Sequence, residues 1–465
     1  MLLRRIASVP LLMVLLSGCV VGPDYVAPTA ALPDKFSEGG TQSVGDVTDV
    51  AWWSAFNDPL LTGYVQQGMA QNLSVLQALE AIVQAETNVV TATAGAYPQV
   101  NLNGYDTGGA SGGDGASASS RKITNTFGGS VPVSWVLDLF GLYARSGEAA
   151  LDQLDSAYAS ADVAKLTLIS QLIDAYVNAR LYQERLSIAR SNLNSRRETL
   201  RLTQFQLDAG AASRLDVVQS EGLVNAQLST IPQLEADYRK QVYALSTLMG
   251  LPAATLIDQM NKVKPIPVAK ARLASGVPAD LIRNRPDIRG AERDLAAATA
   301  SIGVAEAQLY PSISLSGTIQ ASVSGSSLGN AGVSSWSFGP TLSLPIFDGG
   351  ALRANVTKSE SQARQAYLVW KQTVLNAVKE VESALAQVTR DGRTVASLRA
   401  TVASYRDALS LSTSSYKDGA ISLLDVLDAQ RAVSDAEANL ANAIAQQATD
   451  FVALNVAIGG GYAAQ

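Results

Sequence analysis

Proline interrupts helices more reliably than any other residue, and this 465-residue chain has none between Pro132 and Pro232 and none after Pro345. Within those stretches Tyr143 to Leu207 is 65 residues and Ala351 to Tyr416 is 66, enough at 1.5 Å per residue for helices of roughly 100 Å each. Val374, Val378, Val381, Leu385 and Val388 step alternately by four and three, and Val395, Val402 and Leu409 continue at sevens. In the first stretch Leu186, Leu193, Leu200 and Leu207 also recur every seven residues. Sustained heptads require a seam against neighbouring helices. Alanine, serine and glutamine fill much of the remainder, so both flanks admit close neighbours, as in a wall of helices.

Each long stretch ends in nearly the same words. "LDAGAASRLDVVQSEG" starts at Leu207 and "YKDGAISLLDVLDAQR" at Tyr416, and Gly210/Gly419, Ala211/Ala420, Ser213/Ser422, Leu215/Leu424, Asp216/Asp425 and Val217/Val426 are identical pairs. The glycine suits a left-handed helix end, the serine an N-cap, and the aspartate three residues on a capping box. Each stretch is therefore a tight helical hairpin. The return helices run from Ser213 to Met249, with a kink expected at Pro232, and from Ser422 to about Ile458. Two more helical patterns span about 59–96 and 279–309.

Between the helices lie "PQVNLNGYDT", "KITNTFGGSVPVSWVLD", "PSISLSGTIQASVSG" and "SSWSFGPTLSLPIFD", which alternate polar and apolar residues over about ten positions, as transmembrane strands do. They too are duplicated: "AYPQVNLNG" at Ala96 matches "LYPSISLSG" at Leu309. Gly-rich loops join each pair. A sheet of four strands cannot close on itself and leaves two open edges, whereas four strands from each of three copies would make twelve. The chain thus divides into a signal peptide (1–18), an extended segment (19–58), a first repeat (59–250, strand pair near 99–138), a linker (251–278), a second repeat (279–458, strand pair near 312–347) and a flexible tail (459–465).

Composition removes whole classes of function. With no histidine and one cysteine, His-based acid/base catalysis, Cys/His nucleophiles and ordinary zinc sites are excluded or nearly so, and no metal or cofactor site is expected. A formal charge of −6 speaks against nucleic acid. No phosphate loop or nucleophile elbow appears, so an enzyme is not expected. At the N-terminus Arg4 and Arg5 precede an apolar run and then "LSGC", which resembles the bacterial lipobox. Cys19 is the candidate for acylation, and no second cysteine competes for it. Val20 after it, by resemblance to sorted lipoproteins, points to the outer membrane.

The stretches "GCVVGPDYVAP", "WWSAFNDPLL", "SWVLDLFG", "RNRPDIRGAERDL", "GPTLSLPIFDGG" and "YKDGAISLLDVLDAQR" run from residue 18 to residue 431 and together resemble the TolC-type outer-membrane factors, in the lipoprotein branch that serves resistance-nodulation-division (RND) efflux systems. The resemblance implies a mixed α/β membrane protein, a trimeric 12-stranded transmembrane β-barrel continued by a periplasmic α-helical coiled-coil barrel. It implies a passive duct with a periplasmic adaptor protein and an inner-membrane RND pump as partners. It places the hairpins at the periplasmic tip, with Gly210, Ala211, Ser213, Gly419, Ala420 and Ser422 facing the adaptor. Tyr416, Asp425, Asp428 and Arg431 match constriction positions, as does Asp216 in the first hairpin. Gln219 and Gly222 replace Asp428 and Arg431 there, and Ile421 stands where some members have arginine. Threefold symmetry would turn each residue into a ring.

Blander roles stand beside these. Capping alone explains Asp216 and Asp425 as well as gating does, and Asp428 with Arg431 fits an ordinary exposed helix pair. Trp52, Trp53, Trp135 and Trp336 suit packing, though the last two lie in strands where interfacial aromatics are expected. "RPD" at Arg285 reads as a helix start without a site. A lipid-anchored periplasmic scaffold or adhesin with a soluble β-head, and the duct of a protein-secretion system, are the alternatives.

Overall fold

The structure is a computed structural model that describes residues 20–30, 32–38, 46–111, 122–270, 278–326 and 329–463. Cys19 and the loop 112–121 lie outside them. The chain forms two compact units, each drawing on both sequence repeats. One contains the described residues up to Thr29 with Ala81–Tyr158 and Gly290–Lys371, and the other Ala30–Glu80, Ala159–Arg289 and Gln372 onward.

The helices are α1 (Pro59–Gln71), α2 (Leu73–Ala94), α3 (Leu142–Asp208), α4 (Arg214–Leu248), α5 (Ile257–Met260), α6 (Pro278–Asn284), α7 (Pro286–Ala307), α8 (Ala351–Lys417) and α9 (Leu423–Ala457). The two long proline-free stretches are single helices, α3 and α8, of 67 residues each. α4 runs on through Pro232. Neither shorter pattern is one helix. Asn72 divides α1 from α2: its Oδ1 accepts from the Ser74 and Val75 amides (2.9 and 3.0 Å), while its Nδ2 donates to the Leu248 carbonyl (2.8 Å). One amide side chain therefore starts α2 and pins it to α4. At Arg285 the chain leaves α6 and re-enters a helix at Pro286, where proline needs no donor.

The strands are β1 (Gln99–Val100), β2 (Asn103–Ser111), β3 (Lys122–Leu137), β4 (Ser312–Ser326) and β5 (Gly329–Ser343), all antiparallel. β1 and β2 both pair with β3 in one continuous register, from Gln99↔Ser134 to Ser111↔Lys122, so they are one edge strand. It is interrupted opposite Pro132. The Asn101 amide still donates to the Pro132 carbonyl (3.1 Å), but proline has no N–H to return. Four strands were expected, and β4 and β5 reach 15 residues, longer than the ten the alternation suggested.

The second unit is built on a core of Trp52, Trp53, Phe56, Leu61, Ile169, Leu172, Tyr176, Leu245, Met260, Phe451 and Val452. Its aromatic rings meet edge to face, Trp52 on Phe451 at 6.2 Å and Phe56 on Phe451 at 5.6 Å. The tail from residue 459, expected to be flexible, is packed into this unit as far as Tyr462. The Gly461 and Ala463 amides donate to the Val47 and Thr48 carbonyls (3.1 and 2.9 Å), and the Trp52 indole donates to the Gly460 carbonyl (3.0 Å). The expected slack is not found as far as Tyr462. Gly461 instead sits at φ +95° with the Trp52 ring where a Cβ would be. The linker is also held: the fully buried Arg180 donates to the Gln183 side chain (2.7 Å) and to the Lys262 carbonyl (2.8 Å). Among the described residues no helix is long and apolar enough to cross a membrane.

Candidate gate and membrane face

Both hairpins close the same way. At the end of α3 the Ala211 amide donates to the Gln206 carbonyl (2.7 Å) and the Gly210 amide to Leu207 (2.9 Å), and at the end of α8 Ala420 donates to Ser415 (2.8 Å) and Gly419 to Tyr416 (3.0 Å). This is the paired closure that a left-handed residue permits, and the two glycines sit at φ +74° and +73°. The return helices begin at a serine. Ser213 donates through its amide (2.8 Å) and its hydroxyl (2.7 Å) to Asp216 Oδ2, and the Asp216 amide donates back to Ser213 Oγ (3.2 Å). Ser422 closes on Asp425 Oδ2 with 3.0 and 2.7 Å. Gly210, Ala211, Ser213, Gly419, Ala420 and Ser422 are all exposed at these turns.

The five candidate gate residues divide into three kinds. Asp216 and Asp425 are engaged with their caps. Asp428 and Arg431 are exposed and bonded to each other along α9, Arg431 Nη1 to Asp428 Oδ1 at 2.9 Å. Tyr416 points inward: it is 7% exposed, packed with Leu423, Val426 and Leu427, and its hydroxyl lies 3.5 Å from Thr203 Oγ1 of α3. Ile421 packs on the same cluster, so an apolar contact stands where some members have a charge. Within one chain, then, Tyr416 is joined to α3 and not to the Asp428–Arg431 pair.

Three residues beneath the tip escaped the sequence reading. Gln430, 4% exposed, donates to Thr199 Oγ1 (2.7 Å) and Ser195 Oγ (3.2 Å), tying α9 to α3. Glu437 accepts from Arg406 Nε and Nη2 (2.8 and 2.5 Å), tying α8 to α9. Arg196 donates to the Leu223 carbonyl (3.0 Å), and burial, with the charge of Arg431 adding, lowers its pKa from the usual guanidinium value. Gln430 and Glu437 stand seven residues apart on α9, a spacing that sets them on one helix face.

The sheet separates its side chains cleanly. On β4 the odd positions are Ile313, Leu315, Gly317, Ile319, Ala321 and Val323, while even positions are serine, threonine or glutamine. Pairing aligns Ile319 with Val131 and Trp336, Leu315 with Trp135, Val323 with Phe127, and Ile313 with Leu342. That apolar face is open: Trp336 is 79% exposed, Phe127 69% and Ile319 67%. On the edge strand Val100, Leu102 and Ala110 continue it, with Asp106 interrupting. The opposite face is mostly hydroxyl and amide and carries no charge from Ile123 through Leu137, along β4 as far as Gly325, or along β5 from Ala331. A sheet with an apolar exposed face and a neutral polar one matches the wall of a transmembrane barrel.

Comparisons with known proteins agree along the chain. Nodulation protein T of Rhizobium leguminosarum bv. trifolii is 51% identical over 456 residues, 98% of this chain and 97% of that protein. Outer membrane protein OprJ of Pseudomonas aeruginosa is 31% identical over 463 residues, 98% and 95% of the two. The solved outer-membrane channel OprN superposes with a TM-score of 0.85 at 30% identity, over 96% of this chain and 100% of that one. The sequence profile of the outer membrane efflux proteins matches residues 64–251 and 277–460, one match to each repeat, and the chain belongs to that family, with the mixed α/β fold of the trimeric TolC-type channels.

Proposed function

We propose that three copies of this chain form a passive outer-membrane duct for small molecules, closed at rest by the hairpin tips. The strands of the three copies complete a twelve-stranded barrel with the Trp336 face toward lipid and the hydroxyl face toward the lumen. The duct performs no chemistry of its own. A periplasmic adaptor docks at the exposed turns around Gly210 and Gly419, an inner-membrane pump supplies recognition and energy, and acyl chains on Cys19 anchor the N-terminus without spanning the bilayer.

The observation that carries the lock is the difference between two otherwise matching hairpins. Both have the glycine, serine and aspartate, but only the second presents an exposed carboxylate and guanidinium, Asp428 and Arg431, one turn beyond the cap. In a trimer they form charged rings at the tip, with Asp425 beside them. The apolar sheet face favours the duct over a soluble β-headed scaffold, which would leave Trp336, Phe338 and Phe127 in water.

Single-channel conductance in a planar bilayer tests both parts. The unmodified protein is expected to conduct weakly, and the Asp425→Ala, Asp428→Ala double variant more strongly. Unchanged conductance in the variant removes the lock from these residues. Absence of conductance from folded, reconstituted protein removes the duct.

A further inference from the structure

In the second unit, away from the hairpin tips, Asp391 on α8 is bonded to Asp450 on α9, and Asp174 on α3 lies within reach of the Asp450 charge. We propose that these three carboxyl groups form a proton-operated clamp between the helices, drawn tight when the cluster holds a proton and loosened when it is fully ionised.

The geometry leaves the cluster short of donors. Asp450 is 6% exposed, and besides its contact with Asp391 it accepts from Gln446 Nε2 at Oδ1 (2.9 Å). Asp174 has only the Ser170 hydroxyl, at 3.5 Å from Oδ2, and its buried Oδ1 has no partner. Asp391 has a buried Oδ2 without a partner. Among the described residues no lysine or arginine forms an ion pair with any of the three. Arg390, next to Asp391 in sequence, is turned to the Glu38 carboxylate (2.7 Å) and the Ala386 carbonyl (2.6 Å). Their neighbours in sequence, Ile173, Ala175, Phe451 and Val452, belong to the hydrophobic core.

Neighbouring carboxylates without a cation cannot all ionise cheaply. A proton held between Asp391 and Asp450 turns one carboxyl from acceptor into donor and replaces repulsion by a hydrogen bond. Burial, then the charge of Asp450 and the bond to it, pushes the Asp391 carboxyl up to about 6. Burial also lifts Asp174 to about 6, against the opposing bond from Ser170 and with the charge of Asp450 adding. Both groups are raised in the folded state above the ordinary aspartate value of about 4. The folded protein therefore binds more protons than the unfolded chain between about pH 4 and pH 6, and this contribution to stability is lost as pH rises through 6. Helix packing here is tightest in mild acid. The inference concerns packing within one chain and stands whether or not the tip lock does.

The test compares the full-length protein with its Asp391→Asn and Asp174→Asn variants, since asparagine keeps the shape and supplies a permanent donor. Thermal unfolding is recorded at pH 5 and pH 7.5. Each variant is expected to unfold several degrees above the wild type at pH 7.5 and to exceed it by clearly less at pH 5. A difference that is the same at both values, or negative at pH 7.5, overturns the clamp. Should a variant not fold, hydrogen exchange of the wild type decides: after correction for the intrinsic rate, the segments around residues 391 and 450 are protected more strongly at pH 5, and equal protection overturns the proposal.

Discussion

At Gly419 a Cβ would meet nothing within 4 Å, so the only obstacle to a side chain is the backbone at φ +73°. Gly419→Ala is expected to cost about 1–2 kcal/mol, as is Gly210→Ala, through conformation alone and without a clash. Thermal unfolding of the two variants checks this, and their equal cost is the sharper part of the expectation. The aspartates differ in a more useful way. Asp216→Ala and Asp425→Ala each remove a capping carboxylate and are expected to lose about 1 kcal/mol apiece. A conductance rise confined to Asp425→Ala would separate gating from capping, whereas equal rises would assign the effect to loosened helix ends. These caps were legible in the sequence because the glycine, serine and aspartate act within six residues. The direction of Tyr416 was not, because Thr203 and Leu427 become its neighbours only after the hairpin has folded.

Among the elements, the long helices were readable from the absence of proline and from the heptads, and their breaks were not. Asn72 looked like one more polar residue in a helical pattern, but its amide satisfies two amides at the start of α2 and a carbonyl at the end of α4. Asn72→Ala is expected to cost about 1–2 kcal/mol, and Asn72→Asp, which keeps the cap and loses the bond to Leu248, distinctly less. Chemical denaturation of the pair separates the two contributions. Arg285 reads in the sequence as a helix start without a site, and the structure makes it a junction: its guanidinium bonds Asp287 (2.9 and 2.6 Å), Glu380 (2.7 Å) and the Ala457 carbonyl (3.0 Å). Asp287 was in plain view two residues away. Glu380 and Ala457 come from other helices, and no local pattern announces them.

For the molecule as a whole, alternation in the strands was visible at once, but the register decides whether four alternating strands share one apolar face. Here they do, with Ile319 flanked by Val131 and Trp336. Placing a cation on that face should therefore block insertion: Trp336→Lys is expected to cost about 2–4 kcal/mol near the bilayer midplane and to lower the yield of trimer in the outer membrane. Ser337→Lys, one residue on and on the opposite face, should insert normally. The interleaving of the repeats was less readable. Duplication suggested two successive halves, whereas each compact unit takes helix from both. The neutral hydroxyl face has a further consequence. Serine and threonine can solvate a passing molecule without trapping it, since they offer no opposite charge from which it must escape. Cations, anions and neutral compounds should meet similar friction along that surface, so a barrel lined this way is an indifferent exit.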